Sequence, residues 1–387
     1  MNEWSRQIPG APDSELGVAR NGPITYHCTS RSDESTGLIF LIHGFGDDAD
    51  SAYDKVLRRY IAETSGLLVV TVEYHCYRTR PDCGAARQFP PETFERIYYW
   101  AAKFGLPMPG ARDISFELLR QIGSASRDKI FLDGLLIPPN GDYQNFGVIQ
   151  ALDHLHVLND IIDSGVGFDE NRIFLAGSSH GGYLAHLIAR MAPNTILGVL
   201  DNSSYTLAHP RFLGQVSEFN ETFANLMVVY TVATKWQFIT GTALNYFGPS
   251  RALFRDTGYL DLLLAASNVA DRKCQFVMFN TVSDRLSPID FKRHQLRNLS
   301  RAGFTASLDE ITEDDTGKGL FKSMGHADAP MQKLFPHAYP RFTDATTTLD
   351  RYRSTEIAFD CVERIYRVVH SPAAPYVELR IEDNPDY

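Results

Sequence analysis

The sequence has 387 residues, of which 44% are hydrophobic and 22% charged, and its formal net charge is −10. This composition is typical of a globular protein, and the length allows one elaborated domain or several smaller ones. The acidic charge argues against nucleic acid or an anionic membrane as partner, because both need clustered Lys and Arg. The N-terminal stretch lacks a secretory-signal pattern, and the five cysteines are thinly spread, so we expect a cytoplasmic protein with reduced thiols.

Short apolar runs alternate with helical patterns along the chain. Buried strands are predicted at 37–44, 67–76, 172–177, 196–204, 274–282 and 305–312. Helices are predicted at 54–66, 145–165, 181–192 and 354–369. Continuous apolar strands that alternate with helices predict an α/β protein, with a mostly parallel central sheet covered by helices on both faces. Sheets of this kind carry their sites at the carboxyl ends of the strands.

Two long segments, 78–144 and 205–270, interrupt this alternation. The second segment is rich in aromatic residues, and its pattern predicts helices. Connections of this length inside a compact domain are usually lids or small subdomains. We therefore predict a single domain over 1–387, in which the two segments are inserted as a helical cap that covers the site.

The stretch GSSHG at 177–181 fits the pattern G-x-S-x-G between a predicted strand and a predicted helix. Flanking glycines allow a sharp turn, which would leave the Ser179 side chain exposed at the tip. The N–H of the next residue, His180, would lie at the start of a helix, where negative charge is favoured. A plain strand-to-helix loop is the structural alternative, but this context favours Ser179 as a nucleophile.

A serine hydroxyl needs a base, and the base needs an acid that orients it. Asp284 in TVSDRLSP follows the fifth predicted strand, and His326 in KSMGHADAP follows the last one. The order serine, aspartate, histidine is the one expected for hydrolases built on this sheet. The alternatives left open are Asp201 for the acid and His294 or His337 for the base.

The stretch LIHGFGDDAD at 41–50 follows the first buried strand. The backbone N–H of Phe45, together with that of His180, would form a two-donor oxyanion hole, in which each donor lowers the barrier by about 3 kcal/mol. We expect His43 to support this loop by hydrogen bonds rather than to act as a base. Tyr205 and Arg78 each follow a predicted strand and are candidate substrate contacts.

These motifs resemble those of the α/β-hydrolase superfamily. FLAGSSHGGYLAHLIA is similar to the nucleophile elbow of its prolyl-oligopeptidase-like branch, which includes acylaminoacyl peptidases, and SDRLSP resembles the Asp segment of that branch. The resemblance covers 37–76, 145–204 and 274–330, without the β-propeller of those peptidases. NFGVIQALDHL and LDNSSY also resemble a bacterial hydrolase-like family found near flagellin-glycosylation genes, which implies an acylated sugar as substrate.

We therefore expect a serine hydrolase that forms an acyl-enzyme on a small-molecule acyl substrate. Carboxylester hydrolysis is the first hypothesis, and a peptidase on short or blocked peptides is the alternative. A non-catalytic binding protein is an alternative of another class. The sequence has no P-loop, no G-x-G-x-x-G after a strand and no Cys/His spacing typical of zinc, so no cofactor or metal site is predicted.

Overall fold

The computed structural model of the chain describes all residues except 47–48, 109–113, 209–212, 214–218, 239–243, 318, 344–354 and 372–376. The strands in the described residues are β1 (Asn2–Pro9), β2 (Pro23–Ser30), β3 (Glu34–Ser35), β4 (Leu38–Ile42), β5 (Leu68–Glu73), β6 (Ala86–Gln88), β7 (Ile130–Ile137), β8 (Gly167–Phe168), β9 (Ile173–Ser178), β10 (Gly198–Asn202), β11 (Phe219–Phe223), β12 (Leu226–Val232), β13 (Gln275–Thr281), β14 (Thr305–Ile311), β15 (Thr355–Cys361), β16 (Arg364–His370) and β17 (Val377–Asp383). The helices are α1 (Ala52–Ser65), α2 (Pro91–Lys103), α3 (Phe116–Ala125), α4 (Val148–Asp163), α5 (His180–Met191), α6 (Pro249–Phe254), α7 (Leu260–Val269), α8 (Ile289–Arg301) and α9 (Met331–Ala338).

The central sheet has eight strands in the order β1-β2-β5-β4-β9-β10-β13-β14. β2 runs antiparallel to both of its neighbours, whereas the pairs from β5 to β14 are all parallel. Numbered within this sheet alone, the strand order is 1-2-4-3-5-6-7-8 with the second strand reversed. This is the order of the α/β-hydrolase fold, so the predicted fold class is confirmed.

The apolar strands bury side chains on both faces of the sheet, as alternating side-chain direction requires. Ile39 and Leu41 of β4 lie in a buried cluster with Leu57 of α1 and with residues of α9. Phe40 of β4 points to the opposite face, where its ring contacts the His154 ring of α4 at 5.6 Å between centroids. Helices therefore cover the sheet on both faces.

The helices differ in how deeply they are buried. Every residue of α5 is buried, whereas α1 buries only one side. Ser51 precedes α1 as its N-cap, and its side chain accepts a hydrogen bond from the Asp54 N–H. Such an N-cap supplies an acceptor for one of the first N–H groups, which have no partner within the helix. No helix in the described part of the chain is both long and apolar enough to cross a lipid bilayer.

The chain folds into two compact units. The larger comprises residues 1–77, 146–208 and 236–387 and contains the central sheet and the antiparallel sheet β15-β16-β17. The smaller comprises residues 78–145 and 209–235, with a sheet in the order β11-β12-β7-β6 and the helices α2 and α3. The first predicted insertion lies in the smaller unit, whereas the second is divided between the two units.

One prediction of helical structure was wrong, and another was correct only in part. The closing helix predicted at 354–369 is instead the hairpin of β15 and β16. Within 205–270, α6 and α7 are helical as predicted, but the described residues 219–232 form the hairpin of β11 and β12. Both hairpins turn over two residues, and the first residue of each turn, Ala224 or Val362, has a positive φ of 53° or 58°. Neither turn carries the Asn-Gly or Asp-Gly pair that normally signals such a hairpin.

Candidate active site

The nucleophile elbow is built where β9 meets α5. Ser179 lies between them with φ 55° and ψ −118°, a conformation that is costly for any residue other than glycine. Its N–H donates to the Asn202 carbonyl at 2.9 Å, and its carbonyl accepts from the Tyr183 N–H at 3.0 Å. Partners on both sides of the residue therefore hold the strained turn in place.

The glycines around Ser179 permit close packing. A Cβ atom on Gly181 would lie 1.9 Å from the Ile42 carbonyl oxygen, and one on Gly177 would lie 2.2 Å from the Gly181 carbonyl carbon. A Cβ on Gly182 would approach Asp201 Oδ1 to 2.7 Å. The turn of α5 can therefore sit directly against β4 and β10 only because these three positions lack side chains.

The structure brings Ser179, His326 and Asp284 together. The Ser179 hydroxyl lies 2.8 Å from His326 Nε2, and His326 Nδ1 lies 2.7 Å from Asp284 Oδ2. Asp284 Oδ1 accepts from the N–H groups of Leu286 and Ser287 at 2.9 and 3.0 Å, which fixes the carboxylate. Because the carboxylate accepts the Nδ1 proton, the Nε2 lone pair faces the serine hydroxyl, as a general base requires.

The alternative acid and bases lie in other contacts. The Asp201 carboxylate bonds to Lys292 Nζ at 2.5 Å and His186 Nε2 at 2.9 Å. Burial by itself raises the pKa of the Asp201 carboxyl, but Lys292 and His186 outweigh it and hold that pKa well below the usual range. His294 contacts Asn298 within α8, and His337 lies against the Phe279 ring.

The residues proposed for the oxyanion hole are neighbours. His180 is the first residue of α5, where backbone N–H groups have no acceptor within the helix. The Phe45 ring meets the His180 ring edge-on at 5.7 Å between centroids. Below this loop, the His43 ring stacks on Tyr74 at 4.3 Å and lies within 3.2 Å of the Gly44 and Val72 carbonyl oxygens. The role of the Phe45 and His180 N–H groups stays a prediction.

The His180 imidazole is held by a chain of hydrogen bonds. The Gln150 side-chain amide donates to the His75 carbonyl at 2.9 Å, which leaves its oxygen to accept from His180 Nε2 at 2.7 Å. His180 Nδ1 then accepts from the Tyr205 hydroxyl at 2.8 Å. Tyr205 is only 3% exposed, and Arg78 is the first residue of the smaller unit. A substrate contact for either of them stays a prediction.

Two buried histidines predict acid sensitivity of the fold. Burial lowers the pKa of His154 to about 4, and burial together with His43 and His154 lowers that of His180 to about 3. Unfolded imidazoles take up a proton near pH 6.5, whereas these folded ones do not. The free energy of unfolding should therefore fall below about pH 6.5, by about 1.4 kcal/mol per pH unit for each histidine.

Urea denaturation between about pH 7.5 and 5 measures this dependence. His154→Gln removes one of the two groups and should reduce the slope by about 1.4 kcal/mol per pH unit. Asn159→Gln, a half-buried position on the same helix without a titratable side chain, is the matched control and should keep the wild-type slope. An unchanged slope in His154→Gln would contradict a neutral, buried imidazole at this position.

A cavity of about 420 Å³ lies beside the elbow. Its lining includes Gly44, Ser178 and Ala327, which directly adjoin in sequence the residues of the predicted site. Apolar groups of β4, α1 and α9 line it further, and Lys322 and Asp54 add charges of both signs. This size lies at the lower end of the range for small-molecule sites.

Sequence reasoning missed several polar residues that surround the triad. Asn202, Gln150 and Lys292 are all fully buried. Asn202 could have been noticed because it is the last residue of β10, and the carboxyl ends of such strands commonly carry functional residues. Lys292 gave no signal, because a lysine on a helix of mixed polarity normally faces water.

The profile of a family described as protein of unknown function (DUF2920) matches residues 5–381. The chain belongs to this family. For this DUF2920 chain, no curated protein gives a match.

Several solved structures are similar in fold to this DUF2920 chain. Pyrococcus horikoshii acylaminoacyl peptidase is 11% identical with a TM-score of 0.47, over 91% of this chain and 43% of the peptidase. An esterase from Pyrobaculum calidifontis is 17% identical with a TM-score of 0.43, over 88% and 79% of the two chains. Est1E from Butyrivibrio proteoclasticus is 9% identical with a TM-score of 0.40, over 83% and 94%. The DUF2920 chain spans less than half the length of the peptidase structures it matches.

Proposed function

We propose that this DUF2920 chain is a serine hydrolase that cleaves carboxylic esters through an acyl-enzyme. The observation that carries the proposal is the continuous hydrogen-bond chain from Asp284 through His326 to the Ser179 hydroxyl, with 2.7 and 2.8 Å between the bonded atoms. The strained elbow that presents Ser179 supports the same conclusion, because strained backbone conformations cluster at active sites.

In the proposed reaction, Ser179 Oγ attacks the acyl carbonyl carbon while His326 Nε2 takes the hydroxyl proton. The N–H groups of Phe45 and His180 donate to the developing oxyanion, and Asp284 stabilises the imidazolium. The bond to the leaving alcohol then breaks, and His326 returns the proton to the alcohol oxygen. A water molecule hydrolyses the acyl-enzyme by the same steps, with His326 as its base.

The cavity beside the elbow favours small substrates. A volume of about 420 Å³ is enough for a short acyl group or a single sugar ring. We therefore propose small esters, with acetylated sugars among them, as the substrate class. The cytoplasmic location stays a prediction from the sequence.

A fluorophosphonate probe and a substrate panel test the proposal. We expect the purified protein to be labelled covalently, and to hydrolyse aryl acetates and butyrates faster than aryl esters of long acyl chains. Heat-denatured protein is the control, because the triad geometry depends on the fold. A native protein that neither reacts with the probe nor hydrolyses any ester would favour a binding protein.

The same panel separates an esterase from a peptidase. Aminoacyl-β-naphthylamides and blocked short peptides present an amide to the same triad. Cleavage of these amides without ester turnover would overturn the ester hypothesis and favour the peptidase. Acetylated sugars belong in the panel, since hydrolysis of these compounds would define the alcohol part of the substrate.

A further inference from the structure

The segment Asp201–Ser204, which comprises the last two residues of β10 and the two that follow, is unusually polar for its depth. Asp201, Asn202, Ser203 and Ser204 are all 0% exposed. Buried polar side chains are destabilising unless each finds hydrogen-bond partners. Their partners therefore show what this segment holds together, and none of the four has a role in the proposed chemical steps.

Asn202 is hydrogen-bonded both to the nucleophile elbow and to the loop that follows His326. Its main-chain carbonyl accepts from the Ser179 N–H at 2.9 Å. Its side-chain amide donates to Ser178 Oγ and to the Ala329 carbonyl, each at 3.0 Å, with the Ala327 carbonyl at 3.5 Å. One residue thus joins the nucleophile elbow to the loop that carries His326.

Ser204 connects the same segment, through Ser287, to Asp284, the acid of the triad. Its carbonyl accepts from the Ser287 hydroxyl at 2.6 Å, and the Ser287 N–H donates to Asp284 Oδ1 at 3.0 Å. The turn that fixes the Asp284 carboxylate is therefore tied to the segment that contains Asn202. All three loops of the triad converge on these four residues.

A buried ion pair between Asp201 and Lys292 holds the segment Asp201–Ser204 against α8. Lys292 Nζ lies 2.5 Å from Asp201 Oδ2 and donates to Ser204 Oγ at 2.9 Å and to Gln295 Oε1 at 2.8 Å. Both charged side chains are fully buried. Buried ion pairs contribute little net stability compared with apolar residues of the same volume, so a geometric role explains this pair better.

We propose that Asn202 is a positioning residue for the hydrolysis proposed above, which holds the Ser179 elbow and the His326 loop in the register in which their side chains bond. The Asp201–Lys292 pair holds the segment itself, and Ser287 transmits its position to Asp284. This inference rests on the proposed function, because positioning matters only where the triad reacts. Displacement of reacting groups by about 1 Å can lower a rate about 100-fold.

Asn202→Ala tests the inference. We expect kcat for an aryl acetate and the rate of fluorophosphonate labelling to fall about 100-fold, while KM changes by less than about threefold. Asn298→Ala is the matched control, because Asn298 is also a buried asparagine whose amide donates to a backbone carbonyl, that of Gly258, at 2.8 Å. It should lower the melting temperature to a similar extent but leave the labelling rate of folded protein unchanged.

The outcomes separate the two proposals. If the wild type is not labelled, the proposed function fails. If the wild type is labelled and Asn202→Ala is labelled at the wild-type rate, the positioning role alone is overturned. Should Asn202→Ala not fold, Ser287→Ala carries the test, with an expected fall in kcat of about tenfold at constant KM. A wild-type kcat in folded Ser287→Ala would overturn the positioning role of the segment Asp201–Ser204.

Discussion

Replacing Ser179 by alanine should lower kcat/KM for ester hydrolysis by at least about 10⁴-fold. The substitution removes the oxygen that would form the acyl-enzyme, whereas His326, Asp284 and the oxyanion donors remain. Water can still attack a bound ester in such a site, so a small residual rate over buffer is expected. Covalent labelling by a fluorophosphonate should disappear completely, because among the described residues no other hydroxyl is hydrogen-bonded to His326.

The comparison needs folded protein. The melting temperature of Ser179→Ala should stay within a few degrees of the wild type, since alanine only removes an oxygen from a half-buried side chain. Ser300→Ala, at an exposed serine of α8, is the control for the loss of a hydroxyl and should retain full activity. Ester turnover by Ser179→Ala at more than about a tenth of the wild-type rate would exclude Ser179 as the nucleophile.

Replacing Asp284 by asparagine should lower kcat by about 10³- to 10⁴-fold. The carboxylate accepts the Nδ1 proton of His326 across 2.7 Å. An amide group that donates to Nδ1 would force the proton onto Nε2, and His326 could then no longer accept the Ser179 proton. The loss should appear in kcat rather than in KM, because substrate binding does not use Asp284.

Asp256→Asn is the matched control for this substitution. Asp256 Oδ1 accepts a hydrogen bond from the Gly258 N–H at 2.8 Å, just as Asp284 Oδ1 accepts one from the Leu286 N–H at 2.9 Å. Unlike Asp284, Asp256 does not contact His326. Its amide variant should therefore keep the wild-type kcat. An Asp284→Asn enzyme within about tenfold of the wild type would be incompatible with Asp284 as the acid of the triad.

The two hairpins, β15-β16 and β11-β12, are the places where the sequence pattern predicted helices and the structure has strands. In β15 the buried residues Ile357, Phe359 and Cys361 alternate with exposed ones, which is a strand period. The sequence nevertheless predicts a helix, because no glycine, proline or asparagine separates β15 from β16. The turn at Val362 adopts a positive φ without glycine or asparagine, so the usual signal is absent. Ala224, in the turn between β11 and β12, likewise has a positive φ without being a glycine or an asparagine.

The amino-acid sequence by itself determined the parallel sheet and the elbow. Both depend on residues close together along the chain: apolar runs that must be covered on two faces, and glycines that allow Ser179 its strained turn. The sequence also predicted the chain order of serine, aspartate and histidine, since Ser179 and Asp284 lie just after strands and His326 lies on the chain that follows the last strand of the central sheet.

Only the tertiary structure decided which polar groups meet. Asp201 lies at the end of β10 and Asp284 lies just after β13, so both reach the same edge of the sheet. The sequence favours Asp284, but it does not show what either carboxylate contacts. The fold places Lys292 and His186 against Asp201 and leaves Asp284 to accept from His326. Hydrogen bonds act over about 3 Å, whereas the bonded residues of the triad lie 42 and 147 residues apart, so only the packed sheet brings them within reach.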